Sequence, residues 1–297
     1  MTLASVVLLA LKTSIALNVF ALGLNSTLLD ATHLFHRPKD LAKAFLSMNV
    51  VMPVFAALMV SSFALHPALK IALVALSVAP IPPVLPNKAL KAGGRGSYTI
   101  GLLVAMSLLA IVVVPTVLQI LQRVFKVPIT MSVSSVGLIV VATVLGPLVA
   151  GICIHRIAPG FALRFANPLG LLSTVMLVVG ALPILITTFS SFGLLVGNGT
   201  IATLVAFVVV GLATGHLLGG PNPEDRPVLA LATASRHPGI AIAIAQTNFP
   251  QQKLAMTAVI LYLLVNAIVA IPYLRWIKRT SDISKPAAER QPIRSNT

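Results

Sequence analysis

Apolar residues recur along the chain in runs of about 20, the length a helix needs to cross a bilayer core. Short polar connections separate the runs. They predict nine spans, at roughly 3–24, 41–63, 68–90, 98–121, 131–154, 168–190, 200–219, 227–248 and 254–276. Stretches such as Val136–Ile154 and Ile201–Leu218 show no alternation of apolar and polar positions, so the expected spans are helices and not outer-membrane strands. The connections are too short to hold a soluble module. Residues 1–276 therefore read as a single transmembrane domain, followed by a basic, disordered tail over 277–297. Met1–Leu24 has no basic residue ahead of its apolar run, contains Lys12 and lacks a small-x-small cleavage site, so it reads as a retained first helix.

Composition agrees with a lipid solvent. Of the 297 residues 57% are apolar and 9% charged, against roughly 25% charged in soluble domains. The net charge of +15 would point to a polyanion in a soluble protein, but here its placement matters more. With the N-terminus outside, 15 of the 21 Lys and Arg fall in inner connections and the C-terminal end. Four fall outside (Lys70, Arg123, Lys126 and Lys253), and Lys12 and Arg236 lie within spans. The asymmetry predicts a multi-pass inner-membrane protein with its C-terminus in the cytoplasm, and no nucleic-acid partner is needed. All six carboxylates (Asp30, Asp40, Glu224, Asp225, Asp282 and Glu289) fall in connections or the tail. Cys153 is the only cysteine, so no internal disulfide is possible. The glycosylation-pattern matches at Asn25 and Asn198 are of a kind common by chance.

Two spans are interrupted. In the third, Pro80, Pro82, Pro83 and Pro86 cannot continue a helix, because each removes a backbone donor and clashes with the preceding turn. Either Pro80 ends the helix at the membrane surface or the span breaks inside the membrane. The stretch from Leu65 to Pro80 is short for a full crossing, which favours the break. In the eighth, Thr233-Ala234-Ser235-Arg236-His237-Pro238 puts a charge about ten residues from either end, where it marks a pathway or a partner. Arg236 reads either as a substrate-binding residue or as a structural one bonding carbonyls of the broken partner helix, and the two roles are compatible. Pro238 suits the first turn of a half-helix starting there, and such N-termini favour anions. Pro80 and His237 are 157 residues apart, as are Pro115 and Pro272. Matched interruptions of this kind are the mark of inverted-repeat transporters. Lys12 reads either as a snorkelling surface residue or as a second core cation able to carry a proton. His237 is the other candidate for coupling, or a helix cap.

Leu231–Ala245 resembles the ninth-helix segment of the bile acid:sodium symporter family, and the resemblance continues to Trp276. Phe20–Leu24, Arg37-Pro38 and Val51-Met52-Pro53 resemble that family's early helices, in the same order. The resemblance implies a nine-helix form with panel and core domains, and discontinuous helices crossing in the core. It also implies sodium positions, and these read differently here. The ninth-helix Glu, Gln and Asn positions hold Ala232, Arg236 and His237. The fourth-helix Ser and Asn fall at Leu85 and Pro86, and the third-helix Gln falls at Met48, beside Asn49.

The chain therefore reads as an all-α secondary transporter of a small organic anion (bile-acid-like, carboxylate or sulfonate) that works by alternating access without the usual sodium sites. The expected substrate-binding residues are Thr233, Ser235, Arg236, His237 and Pro238 on one break, with Pro82, Pro83, Pro86, Asn87 and Asn49 on the other side. Two alternatives remain: a sodium symporter using backbone carbonyls with Thr233 and Ser235, or a non-transporting sensor or scaffold. His33, His36, His66 and His155 have no metal-ligand spacing, and no nucleophile–base pair or nucleotide fingerprint is present, so neither cofactor nor enzymatic activity is expected. The glycine-rich turn Gly93–Gly96 reads as a flexible connection.

Overall fold

The structure is a computed structural model that describes residues 3–197 and 199–284. Asn198 and the 285–297 part of the tail, whose disorder was expected, lie outside the described residues. The described chain is all helix. α1 (Leu3–Leu24) leads through a one-turn α2 (Leu28–Thr32), closed by the Thr27–Asp30 capping box, into α3 (Pro38–Phe45). α3 continues through a π turn (Leu46–Val51) into α4 (Met52–Ser62). The third span is α5 (Pro67–Val78) and α6 (Leu85–Lys91), and α7 (Gly96–Phe125) comes after it. α8 (Val133–Val140), a second π turn (Val141–Leu145) and α9 (Gly146–Ile157) form the fifth span. α10 (Pro159–Phe192) and α11 (Thr200–Leu218) come next. The eighth span is α12 (Asp225–Ala234) and α13 (Pro238–Asn248), and α14 (Leu254–Ser284) runs past the end expected at Trp276.

Among the described residues seven helices are long and apolar enough to cross a membrane, and Leu9–Leu24 and Pro67–Val78 are shorter apolar helices. The protein is thus a multi-pass membrane protein. α5 has 12 residues, or about 18 Å of helix, well short of the roughly 30 Å apolar core. The break at Pro80 is buried in the protein, with Ala79–Pro83 all inside, and is not an exposed loop. Burial obeys the same logic. In Asp225–Asn248 78% of the apolar window is inside the protein, against 11% for Pro159–Phe192. Broken backbone stays away from lipid, which could not satisfy it, while the long unbroken α10 meets lipid along most of its length.

The helices form two groups, in line with a panel and a core. α1 packs on α9 and α10, and α3–α7 pack with α11–α14. In the first group a Cβ on Gly151 would lie 2.4 Å from the Phe20 carbonyl oxygen, so α1 and α9 meet backbone to backbone. In the second, Gly211 and Gly215 of α11 and Gly219 just past its end form a stripe against Ala234, Ala230 and Arg226 of α12. Small residues at this spacing allow the close approach that holds helices together in a bilayer. The element boundaries of the second group follow the 157-residue spacing. Shifted by 157 residues, α5 overlies α12, the last residue of α6 falls on that of α13, and α7 overlies α14.

The connections pack together in two sets. Gly101 packs on the turn after α2, and His155 Nδ1 is 2.7 Å from the Leu24 carbonyl oxygen. At the other end Thr130 and Asn248 exchange two hydrogen bonds, of 2.7 and 2.9 Å. The Gly93–Gly96 turn is not the flexible connection expected from its composition. Arg95 Nη2 donates to Asp225 Oδ2 at 2.6 Å, and its backbone N–H reaches the Glu224 carbonyl at 3.4 Å. Asp225 is likewise no solvated loop carboxylate: it is buried as the first residue of α12, where the helix dipole favours an anion.

His33, in the turn after α2, is held below its ordinary value of 6.5 by burial, then by the Arg95 and Arg37 charges. The sign comes from proton uptake. Below about pH 6.5 the unfolded chain binds a proton that the folded chain refuses until lower pH. The stability His33 confers is therefore present above that pH and lost as pH falls towards the folded value. Melting of wild type and His33→Gln between pH 7.5 and 5 should show a steeper loss in wild type. Parallel profiles would refute this.

Candidate functional site

The two breaks meet. The His237 backbone N–H donates to the Pro80 carbonyl at 2.8 Å, and Arg236 Nη1 donates to the Ala79 carbonyl at 3.2 Å. Arg236 Nη2 donates to the Met48 carbonyl, in the first π turn, at 3.0 Å. One guanidinium thus joins three elements, and it is wholly buried.

Proline chemistry explains why those carbonyls are free. The donors that would normally serve the Ala79 carbonyl lie three and four residues on, at Pro82 and Pro83, and neither has an N–H. In a π turn the Met48 carbonyl would look five residues on, to Pro53, which also has none. The same rule frees the Ala234 carbonyl, four residues before Pro238. It accepts from Asn266 Nδ2 at 2.7 Å and from the Tyr262 hydroxyl, both on α14. Each break is thus closed by side chains from another helix, and none of these carbonyls is left bare in the membrane interior.

Arg236 has no carboxylate partner among the described residues, so its charge needs another source of negative potential. Ala79 is the cap at the C-terminal end of α5, and Arg236 itself lies just past the end of α12. C-terminal helix ends carry partial negative charge, and two carbonyl oxygens accept directly. These are the kinds of ligand that a bound metal cation would use.

His237 caps α13: its Nδ1 accepts from the Ile240 N–H at 3.4 Å, and Pro238 occupies the first turn as expected. With Nδ1 accepting, a neutral ring carries its proton on Nε2. Neither that atom nor Arg236 Nε has a hydrogen-bond partner among the described residues. Consecutive residues of the second break thus each carry a buried donor without a partner.

The other expected residues are divided. Thr233 Oγ1 and Ser47 Oγ pair at 2.7 Å, buried, and Ser235 Oγ accepts from Asn266 Nδ2 at 3.4 Å. Pro82 and Pro83 are buried in the first break, and Pro86 lies in the first turn of α6. Asn87 points to the helix group on the other side, donating to Asn18 Oδ1 at 3.2 Å, while Asn18 donates to Ser173 at 3.0 Å. Asn49 is only half-buried and donates to the Met106 sulfur at 3.7 Å. Lys12 is exposed on α1, and no hydrogen bond joins it to the crossing, which fits the snorkelling alternative over a core cation. Sequence reasoning missed Tyr262 and Ser47. The only local signal they leave is a hydroxyl set among apolar neighbours in mid-span.

No curated protein sequence matches the chain. The Sodium Bile acid symporter family does match, over residues 13–198, from α1 through α10 and before the second break. With more than half of the chain covered, on a multi-pass helical fold of the kind the resemblance implied, the chain belongs to the sodium bile acid symporter family.

Proposed function

We propose that this protein is a secondary transporter of a small organic anion, bile-acid-like or a carboxylate or sulfonate, in which Arg236 replaces the coupling sodium. The observation that carries this reading is the wholly buried guanidinium bonded to the Ala79 and Met48 carbonyls. Its position is one where the family resemblance implies a sodium-ligating Gln. Arginine stays charged in proteins, so the charge is permanent and tethered. The unpaired Arg236 Nε and His237 Nε2 favour a ligand that accepts hydrogen bonds. A buried donor left unpaired costs about 1–3 kcal/mol, which an anionic oxygen would recover.

The 157-residue repeat supports alternating access. The two broken spans are five crossings apart and so run in opposite directions, as in an inverted repeat. The basic connections support an inner-membrane location with the C-terminus in the cytoplasm.

The test is thermal stability of the purified protein with taurocholate, 2-oxoisovalerate or octanesulfonate, in sodium and in potassium buffer. A ligand at about 100 times its dissociation constant adds roughly 2.7 kcal/mol to the native state. Stabilisation by at least one anion is expected, equal in both buffers. Stabilisation that requires sodium would overturn the tethered-cation reading. Absence of both stabilisation and flux would leave the sensor or scaffold reading.

A further inference from the structure

We infer that the protein exports its substrate, releasing a monovalent organic anion outward along the membrane potential; this rests on the transport reading above. Over a complete cycle, residues return to where they began and move no net charge. The charge translocated is that of the species that cross, so the direction depends on whether a cation crosses with the anion.

Among the described residues, the side chains at the crossing and the two carbonyls facing Arg236 already have partners. The Ala79 and Met48 carbonyls hold Arg236, which is covalently part of the chain. The Thr233 and Ser47 hydroxyls hold each other, and Ser235 accepts from Asn266. A proton fares no better. His237 Nδ1 is the cap of α13, and protonation would break that cap and place a second positive charge beside Arg236. The Tyr262 hydroxyl donates to the Ala234 carbonyl. The buried carboxylate of Asp225 is ion-paired with Arg95 at the far end of α12, ten residues or about 15 Å of helix from the break. Lys12 is exposed on α1.

The anion then crosses alone, carrying one negative charge. Cells hold their interior negative, so the potential drives it out, whichever way the protein is inserted. At 100 mV one elementary charge is worth about 2.3 kcal/mol, which is a gradient of about 50-fold. A symporter that admits two sodium ions per anion works in the reverse sense.

The experiment uses the full chain in sodium-free vesicles, with valinomycin and potassium gradients setting the potential and protein-free vesicles as the control. The probe is radiolabelled taurocholate, whose sulfonate stays singly charged. Accumulation inside vesicles held positive inside is expected, approaching about 50-fold at 100 mV. Loss of label is expected from preloaded vesicles held negative inside. Neither should change on adding sodium or on moving from pH 6 to 8. A distribution indifferent to potential would mean one cation per anion and overturn the inference. Uptake driven by a negative interior and requiring sodium would overturn it too. Both outcomes would leave transport itself intact. No flux of taurocholate, 2-oxoisovalerate or octanesulfonate would overturn the transport reading instead.

Discussion

Gly215→Val is expected to cost about 3 kcal/mol or more, or to prevent folding altogether. A Cβ at Gly215 would lie 2.5 Å from Ala230 Cα, 2.5 Å from the Leu229 carbonyl oxygen and 2.7 Å from the Ala230 nitrogen. All three are backbone atoms of α12, so no side chain can turn aside. Relief requires α12 to move away from α11, and α12 ends in the break that carries Arg236. Even Gly215→Ala should destabilise for the same reason. Gly160 is the control, because a Cβ there would meet nothing within 4 Å. Gly160→Ala should leave stability unchanged or slightly raised. Thermal unfolding of the purified variants decides the matter. A Gly215→Val protein that melts with wild type would show that the α11–α12 approach is not as close as described.

Arg236→Gln is expected to lower stability by about 2 kcal/mol and to remove anion binding. The stability figure balances opposing effects. Without the guanidinium, the Ala79 and Met48 carbonyls lose their donor, and each unpaired buried group costs about 1–3 kcal/mol. Against this, the burial cost of the charge disappears. No opposite charge is left stranded, because among the described residues no carboxylate pairs with Arg236. Arg236→Lys should not restore function, since a single ammonium cannot reproduce the forked reach to two carbonyls on different elements. The measurement is melting of each variant with and without the anion that stabilises wild type. Retention of that stabilisation in Arg236→Gln would remove Arg236 from substrate binding and leave it a structural tie.

Much of this architecture is local and so was legible. Hydropathy over 20 residues located the spans, and the prolines located both breaks, because a missing N–H acts within one turn of helix. The meeting of the breaks was visible only as a spacing of 157 residues, and the contacts fall on it: Arg236 reaches Ala79, and His237 reaches Pro80. The coarse form of the site was readable for the same reason, since a charge and a proline in mid-span are rare. Its partners were readable only in part: carbonyls of the other broken helix were an expectation for Arg236, and Ala79 supplies one. Nothing near Met48 in the sequence marks its carbonyl as a ligand, and Asn87 lay close to the first break but turned to Asn18. Asp225 read as a loop residue until Arg95, 130 positions earlier, was found beside it.

Sequence alone was enough to establish a helical membrane protein with two broken spans, one of them carrying a charge. Hydrophobicity, helical period and the absent proline donor all act between near neighbours. Tertiary packing was needed to show which carbonyls hold Arg236, that Lys12 is exposed on α1, and that glycines of α11 let α12 approach. These depend on which distant segments pack together, and they are settled by surface shape and by where unpaired carbonyls find donors.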